Sequence, residues 1–222
     1  KASNPLHDVY RRISLKLSDS ILDVGGGGGA HVLALHSIGF SNAMAVDPNI
    51  EQDVVIDDVL IAKKSEIYDI QGHYDVVVLH HSLEHMSGQV EIMKKAAELI
   101  GENGRLLVRV PTVTSTAWET YKENWVNLDA PRHFYLHSHD SIRNLADQAG
   151  LKILDFWNDS VGMQFWGSEQ YAQDIHMKAA HSHTENEDAS IFNEAQIQDY
   201  QRQAAALNEQ GKGDWICVLL GN

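Results

Sequence analysis

The sequence predicts an α/β protein built on a doubly wound, mostly parallel sheet of seven strands. Three observations support this class: apolar runs alternate with segments of helical periodicity, the runs are rich in β-branched residues, and a glycine-rich loop follows the first of them. The predicted strands are 20–24, 43–47, 53–56, 74–79, 105–110, 151–157 and 214–220. The predicted helices are 30–39, 88–101 and 138–149.

The length of 222 residues predicts a single domain over 1–222 with a sizeable core. Two segments exceed a minimal sheet. Residues 111–137 form a long connection, and we expect a substrate or lid loop there because long loops in compact domains are usually functional. Residues 163–210 have a mostly helical pattern and form an insertion before the last strand. We expect its polar middle, 181–188, to be exposed.

Composition narrows the class of partner. The formal net charge of −14 repels phosphate backbones and anionic membranes, so nucleic acid and membrane partners are disfavoured. No run approaches the ~18 apolar residues of a membrane span. The single cysteine, Cys217, excludes an internal disulfide and fits a reducing cytoplasm. No signal peptide is recognisable, and because the sequence starts at Lys1 we expect an N-terminal piece to be missing. Nothing indicates an oligomeric state.

Five consecutive glycines, 25–29, follow the first predicted strand. Such a loop between a strand and a helix forms a nucleotide-cofactor site at the carboxyl edge of a parallel sheet. One template is the dinucleotide fingerprint, matched by Gly25, Gly27 and Ala30, with Asp47 about 20 residues further on to bind ribose. The other is Asp-x-Gly-x-Gly-x-Gly, which begins at Asp23.

Asp23 decides between these templates. In an NAD site the diphosphate sits at the helix N-terminus, so an acid just before the glycines would be unfavourable. S-adenosylmethionine has no phosphate and carries an ammonium and a sulfonium, which an adjacent carboxylate stabilises. The sequence therefore favours the sulfonium cofactor.

Beyond this loop, the chain resembles the class I S-adenosylmethionine-dependent methyltransferases and is similar to the ubiquinone-pathway O-methyltransferases. The matching segments are the first motif at 21–29, the second strand at 45–47, the fourth strand and its loop at 74–85, the turn at 99–108, and a last strand at 213–220. Glu102-Asn103 replaces the usual Pro-Gly of that turn, and Gly26 replaces a commoner Cys or Ala. The resemblance implies a Rossmann-like fold whose last strand is antiparallel.

The resemblance also implies roles at the cofactor. The first acid would orient the methionine ammonium, the glycines would line the methionine and ribose, and the second acid would bind the ribose diol. An acid after the third strand, Asp57 or Asp58, would contact adenine, although an exposed charge or helix cap explains it equally well. A histidine after the fourth strand would flank the methionine. The implied cofactor residues are Asp23, Gly25, Gly27, Gly29, Asp47, Pro48, Asp58 and His80.

The segment His81-Ser82-Leu83-Glu84-His85 matches the H-x-x-E-H signature of some zinc peptidases. A peptidase needs these residues on a helix, whereas here they follow a buried strand, so that function is disfavoured. The methyltransferases named above carry E-x-x-E-H at this place, and some use it to bind a divalent ion. Candidate ligands are His81, Glu84, His85 and His133, but His81 replaces the first glutamate, so a structural role is expected over a bound metal.

Methyl transfer needs alignment, and an oxygen or nitrogen acceptor also needs a base. The candidate bases are His81 and His133, because histidine titrates near neutrality. Arg132 could hold an anionic substrate group, or form an ion pair with Asp129. Trp125 could wall the acceptor pocket, or simply pack the lid.

The sequence thus predicts a cytoplasmic methyltransferase that uses S-adenosylmethionine and acts on an oxygen, nitrogen or carbon of a small molecule. Two rivals stay open: an NAD-dependent oxidoreductase and a non-catalytic cofactor-binding protein. RNA-end methylation is disfavoured by the charge.

Overall fold

The computed structural model describes residues 5–222, and side chains from Asp8 onward. The chain divides into two compact units. The first holds the residues up to Val110 together with Ser141–Phe156 and Val218–Asn222, and the second holds Pro111–Asp140 and Trp157–Cys217.

The helices and strands follow one another along the chain in an alternating order. They are α1 (Pro5–Arg12), β1 (Ile21–Val24), α2 (Ala30–Ser37), β2 (Ala43–Val46), β3 (Val54–Ile56), β4 (Val59–Lys63), β5 (Val76–His80), α3 (Gln89–Ile100), β6 (Arg105–Pro111), α4 (Thr116–Tyr121), α5 (His139–Ala149), β7 (Lys152–Asn158), α6 (Met163–Tyr171), α7 (Glu194–Glu209) and β8 (Trp215–Gly221). Short 3₁₀ turns include Leu83–His85 and Val126–Leu128.

The strands form one sheet of eight in the order β3-β4-β2-β1-β5-β6-β8-β7. β1 lies between β2 and β5 and is parallel to both, and β5 is parallel to β6. The chain therefore winds outward from β1 in two directions, and ligands of such sheets bind beyond the carboxyl ends of the strands at this switch point. The predicted Rossmann-like, mostly parallel class is confirmed, with eight strands instead of seven.

The centre of the sheet is fully buried, which explains its unbroken apolar sequence. Ile21 and Leu22 of β1 and residues 76–79 of β5 are all 0% exposed. A parallel strand covered on both faces cannot alternate polar and apolar residues, because each of its side chains lies in the core.

The third predicted strand is the one part of the sheet that was wrong. Residues 54–56 form β3, which pairs antiparallel with β4, and it is β4 that lies parallel to β2. Asp57 and Asp58 make the two-residue turn between them, with φ of 50° and 62°. Such turns usually contain glycine. Without one, the sequence gave no hairpin signal, and β4 was missed.

The second unit has its own small core. Ala117, Trp125 and Val126 are buried there, and Trp118 and Tyr171 pack against them. The predicted helical insertion is present as α6 and α7, but the chain between them is mostly not helical.

The polar segment 181–188 within this unit is less exposed than expected. Ser182 is fully buried. The His183 ring lies 5.0 Å from the Trp166 ring, and the His183 backbone N–H donates to Gln170 Oε1 at 2.7 Å. Across residues 5–222, no helix is long and apolar enough to cross a membrane.

The turn between α3 and β6 depends on Gly104. A Cβ at Gly104 would collide with the carbonyl oxygen of Ile100 and lie 2.6 Å from that of Tyr74. Both obstacles are backbone atoms, which cannot rotate away. The Gly104→Ala variant should lose about 3 kcal/mol of unfolding free energy in urea titrations.

Gly150→Ala is the matched control. Gly150 also ends a helix, with φ of 75°, but a Cβ there would meet nothing within 4 Å. We expect a loss of only about 1 kcal/mol from the left-handed backbone. Equal losses in the two variants would show that the Gly104 contacts do not matter.

Candidate functional site

The glycine loop joins β1 to α2 and packs closely on the sheet at its two ends. Gly25 has φ of 75°, its N–H donates to Val46 O at 2.8 Å, and a Cβ there would lie 2.7 Å from the Cβ of Ser82. Gly29 has φ of 83°, and its Cβ would lie 2.5 Å from Ile61 Cγ2. Both positions therefore need glycine for conformation and for space.

The middle of the loop is open. A Cβ at Gly27 or Gly28 would meet no heavy atom within 4 Å. Bare backbone therefore faces free space at the carboxyl edge of the sheet, and a ligand can approach it closely.

Asp23 is the buried acid of this site, with 1% of its surface exposed. Its Oδ2 lies 3.0 Å from His31 Nδ1. Its Oδ1 is buried and has no hydrogen-bond partner within the described part of the chain. Because an unsatisfied buried carboxylate oxygen is costly, this atom fits a donor supplied by a ligand.

Asp47 shapes the loop from the end of β2. Its Oδ2 accepts the Gly27 N–H at 3.0 Å, and its Oδ1 accepts the Asn49 N–H at 2.8 Å. Each carboxylate oxygen can accept a second hydrogen bond, so both retain capacity for a diol. Pro48, between Asp47 and Asn49, is exposed.

His80, at the end of β5, lies between two other histidines. Its ring is 4.8 Å from that of His31, stacked, and 4.9 Å from that of His81, edge-on. Burial lowers the pKa of His80, and the neighbouring charges of His81, Arg109 and His31 lower it further. His80 is therefore neutral near pH 7, next to the open glycines.

His81 has contacts on both sides of its ring. Its Nε2 lies 2.7 Å from Arg109 Nη1 and its Nδ1 lies 3.5 Å from Glu84 Oε1. Since a guanidinium only donates, Nε2 accepts and the ring hydrogen sits on Nδ1, towards Glu84. His81 also has a φ of 50°, an unfavourable backbone conformation for histidine. Acting as a base or metal ligand through Nε2 would require His81 to give up Arg109, so both roles stay predictions.

Asp58 does not lie at this edge of the sheet. It directly precedes β4, whose last residue, Lys63, pairs with Val46 near the glycine loop. Asp58 is exposed in the β3–β4 turn, at the amino end of β4. The adenine contact had been assigned to it because it was expected to follow the third parallel strand, and that basis is gone.

In the second unit, His133 is held by its own loop. Its Nδ1 lies 2.8 Å from the Asn127 carbonyl oxygen, and its Nε2 lies 3.7 Å from Asp129 Oδ2. Arg132 forms the ion pair with Asp129 that was one of its two predicted roles, with Nη2 2.6 Å from Oδ1.

Trp125 is completely buried in the second unit, so in this structure it packs the core and presents no surface to a small molecule. Its Nε1–H donates to Asp214 Oδ2 at 2.9 Å, and Asn127 Nδ2 donates to the same oxygen at 2.7 Å. Burial raises the pKa of Asp214 to about 6, although the hydrogen bonds from Trp125, Ser160 and Asn127 oppose this.

The model of a methyltransferase domain family matches residues 1–155, which is more than half of the chain. The chain belongs to the methyltransferase domain family. The family predicted from the sequence is thereby confirmed. No curated protein matches this methyltransferase domain.

Several solved structures share its fold. A putative methyltransferase from Haloferax volcanii, in complex with the Trm112 methyltransferase activator, is 16% identical with a TM-score of 0.61, covering 98% of this chain and 87% of that one. A mycolic acid cyclopropane synthase with SAH and CTAB is 14% identical with a TM-score of 0.60, covering 98% and 84%. Coclaurine N-methyltransferase with N-methylheliamine and SAH is 18% identical with a TM-score of 0.57, covering 97% and 70%. At these identities the likeness shows the fold alone.

Three residues of this methyltransferase domain escaped the sequence analysis. Arg109 is 5% exposed within an otherwise apolar strand, and that isolated charge was the available signal. Asp214, just before the last strand, carried a similar signal. His31 carried none, because only the fold brings the first turn of α2 against the Asp23 carboxylate.

The raised pKa of Asp214 has a measurable consequence for stability. An unfolded aspartate titrates near pH 3.9, so the folded state binds this proton more strongly, and the resulting stabilisation is complete below that pH. It is lost as the pH rises through about 6, the pKa in the folded protein. We expect about 3 kcal/mol less stability above this range from Asp214.

Asp214→Asn removes this titration, so its unfolding free energy should fall less than that of the unsubstituted protein between pH 4 and pH 7. Urea titrations at several pH values measure the difference. Parallel curves for the two proteins would contradict the assignment.

Proposed function

We propose that the protein is an S-adenosylmethionine-dependent methyltransferase that methylates an oxygen, nitrogen or carbon of a small molecule. The observation that carries this proposal is the Asp23 carboxylate, buried beside the open glycines with Oδ1 lacking a partner in the described chain. The methyltransferase family model supports it. Two structures of similar fold hold SAH, the product form of this cofactor.

The sign of the charge at this site separates the proposal from an NAD-dependent oxidoreductase. A carboxylate in a buried position repels a diphosphate strongly, because little water screens it. The same carboxylate attracts an ammonium and gives Asp23 Oδ1 its missing hydrogen bond. Asp23 is therefore suited to a cationic amino-acid group and unsuited to a dinucleotide.

The residues of the first unit divide the binding task between them. Asp23 would bind the ammonium, Gly27 and Gly28 would let the ligand lie against the backbone, and Asp47 would accept from the ribose hydroxyls. Neutral His80 would flank the methionine portion without repelling the sulfonium. When bound, S-adenosylmethionine supplies a methyl group already activated by its sulfonium, so the protein mainly aligns and desolvates the partners.

His133 is the better placed of the two candidate bases. Because its Nδ1 hydrogen bonds to the Asn127 carbonyl, the ring is fixed in the tautomer whose lone pair is on Nε2. Asp129, 3.7 Å from that nitrogen, would stabilise the ring once it took up a proton. His81 has its Nε2 lone pair directed at Arg109 instead.

Cofactor binding gives the first test. The unsubstituted protein should bind S-adenosylhomocysteine, measured by calorimetry, and should not bind NADH. Asp23→Asn should weaken this binding at least tenfold, or about 1.4 kcal/mol, because the charge-assisted hydrogen bond to the ammonium is lost.

Asp58→Asn is the control, since it removes one carboxylate at the other edge of the sheet and should leave the affinity unchanged. Tighter binding of NADH than of S-adenosylhomocysteine would overturn the proposal. A loss of affinity in Asp58→Asn would restore the adenine contact predicted from the sequence.

Turnover gives the second test, using labelled S-adenosylmethionine and a panel of small oxygen, nitrogen and carbon nucleophiles. With an acceptor that needs deprotonation, His133→Gln should lower kcat about 100-fold, since a positioned base contributes at least this much. The affinity for S-adenosylhomocysteine should not change.

Binding without methyl transfer to any acceptor would instead favour the non-catalytic alternative. Unchanged kcat in His133→Gln, with a large loss in His81→Gln, would transfer the role of base to His81.

A further inference from the structure

A hydrogen-bonded chain leads from helix α1 to the acid of the glycine loop. The Tyr10 hydroxyl on α1 lies 2.6 Å from His31 Nε2, and His31 Nδ1 on α2 lies 3.0 Å from Asp23 Oδ2. The rings of Tyr10 and His31 stack with their centroids 5.7 Å apart. Tyr10 is 3% exposed and the His31 side chain 9% exposed, so water competes little with these bonds.

The direction of this chain follows from its ends. A carboxylate can only accept, so His31 Nδ1 carries a hydrogen and donates it to Asp23. The Tyr10 hydroxyl then donates to the Nε2 lone pair, which holds the imidazole in its neutral Nδ1–H form. His31 therefore fixes the Asp23 carboxylate without bringing a positive charge to it.

Gly26 gives an independent indication of the same arrangement. Its φ is not in the left-handed region, so its backbone conformation suits other residues. A Cβ at Gly26 would nevertheless lie 2.5 Å from Asp23 Oδ2, the oxygen that His31 holds. Glycine at this position, where related sequences more often have cysteine or alanine, makes room for the carboxylate.

We propose that His31, held by Tyr10, is a positioning residue that fixes the Asp23 carboxylate through Oδ2 and leaves Oδ1 to bind the ammonium of the cofactor. This inference rests on the proposed function. Gly26 is the third part of the device, because the carboxylate can adopt this orientation only where residue 26 has no side chain.

Two substitutions of His31 separate its two hydrogen bonds. His31→Asn places an amide nitrogen near the position of Nδ1 and can still donate to Asp23, whereas His31→Gln places one near Nε2 and cannot. We expect His31→Gln to weaken S-adenosylhomocysteine binding about tenfold and His31→Asn to weaken it less than about threefold. Tyr10→Phe, which removes only the hydroxyl, should have an intermediate effect.

A ligand without the amino-acid portion provides the specific readout. 5′-Methylthioadenosine lacks the ammonium, so all three variants should bind it as tightly as the unsubstituted protein does. A merely structural role of His31 would weaken both ligands alike. Equal effects of His31→Asn and His31→Gln, or equal loss for both ligands, would overturn the inference.

The Gly26→Ala variant completes a double-mutant cycle with His31→Gln. Alone, Gly26→Ala should weaken S-adenosylhomocysteine binding at least tenfold by displacing the carboxylate; added to His31→Gln, it should cost clearly less, because that carboxylate is already released. Strict additivity would contradict the coupling. If the unsubstituted protein bound no S-adenosylhomocysteine, the proposed function would fall, and the inference with it. If it bound, and Asp23→Asn but not His31→Gln weakened it, the inference alone would fall.

Discussion

A buried carboxylate at the end of the central strand constrains everything around it. Asp23 lies on β1 with 1% of its surface exposed, between strands that carry only apolar side chains. A charge in such a position is tolerated only when it is hydrogen-bonded or bound to an ion. His31 satisfies one oxygen, and the space that the carboxylate occupies excludes a side chain at Gly26. The glycine loop is thus shaped by its acid as much as by its glycines.

The central sheet could be predicted from the sequence because its signals are local. Unbroken β-branched runs mark strands buried on both faces, and the acid before the glycines lies in the same short segment as the loop that it serves. The β3–β4 hairpin could not be predicted, since its Asp57-Asp58 turn lacks the glycine that usually marks such turns. That error moved the supposed adenine contact to the wrong edge of the sheet.

Residue type alone could not separate pocket from core in the second unit. Trp125 suits either role, because its ring is apolar and its N–H can donate. The structure uses it as a donor to Asp214, and the ring lies 5.7 Å from that of Trp118 in an edge-on contact. Asp214 is drawn in opposite directions, since burial favours the neutral acid while the converging donors favour the anion. Sequence cannot show this balance, because Asp214 lies 89 residues from Trp125 along the chain.

The choice of histidine beside Asp23 has an electrostatic reason. Arginine or lysine would also satisfy Oδ2, but its full charge would neutralise the acid and repel a cationic ligand at short range, where water screens little. A neutral imidazole orients the carboxylate and leaves its charge available. His81 illustrates the opposite case, since Arg109 lies 2.7 Å from its Nε2 and places a permanent cation beside it. The two histidines flank His80, yet one faces the acid and the other faces the guanidinium. A site for a ligand with two positive groups needs that separation, with the unpaired carboxylate oxygen on the side from which the permanent cation is absent.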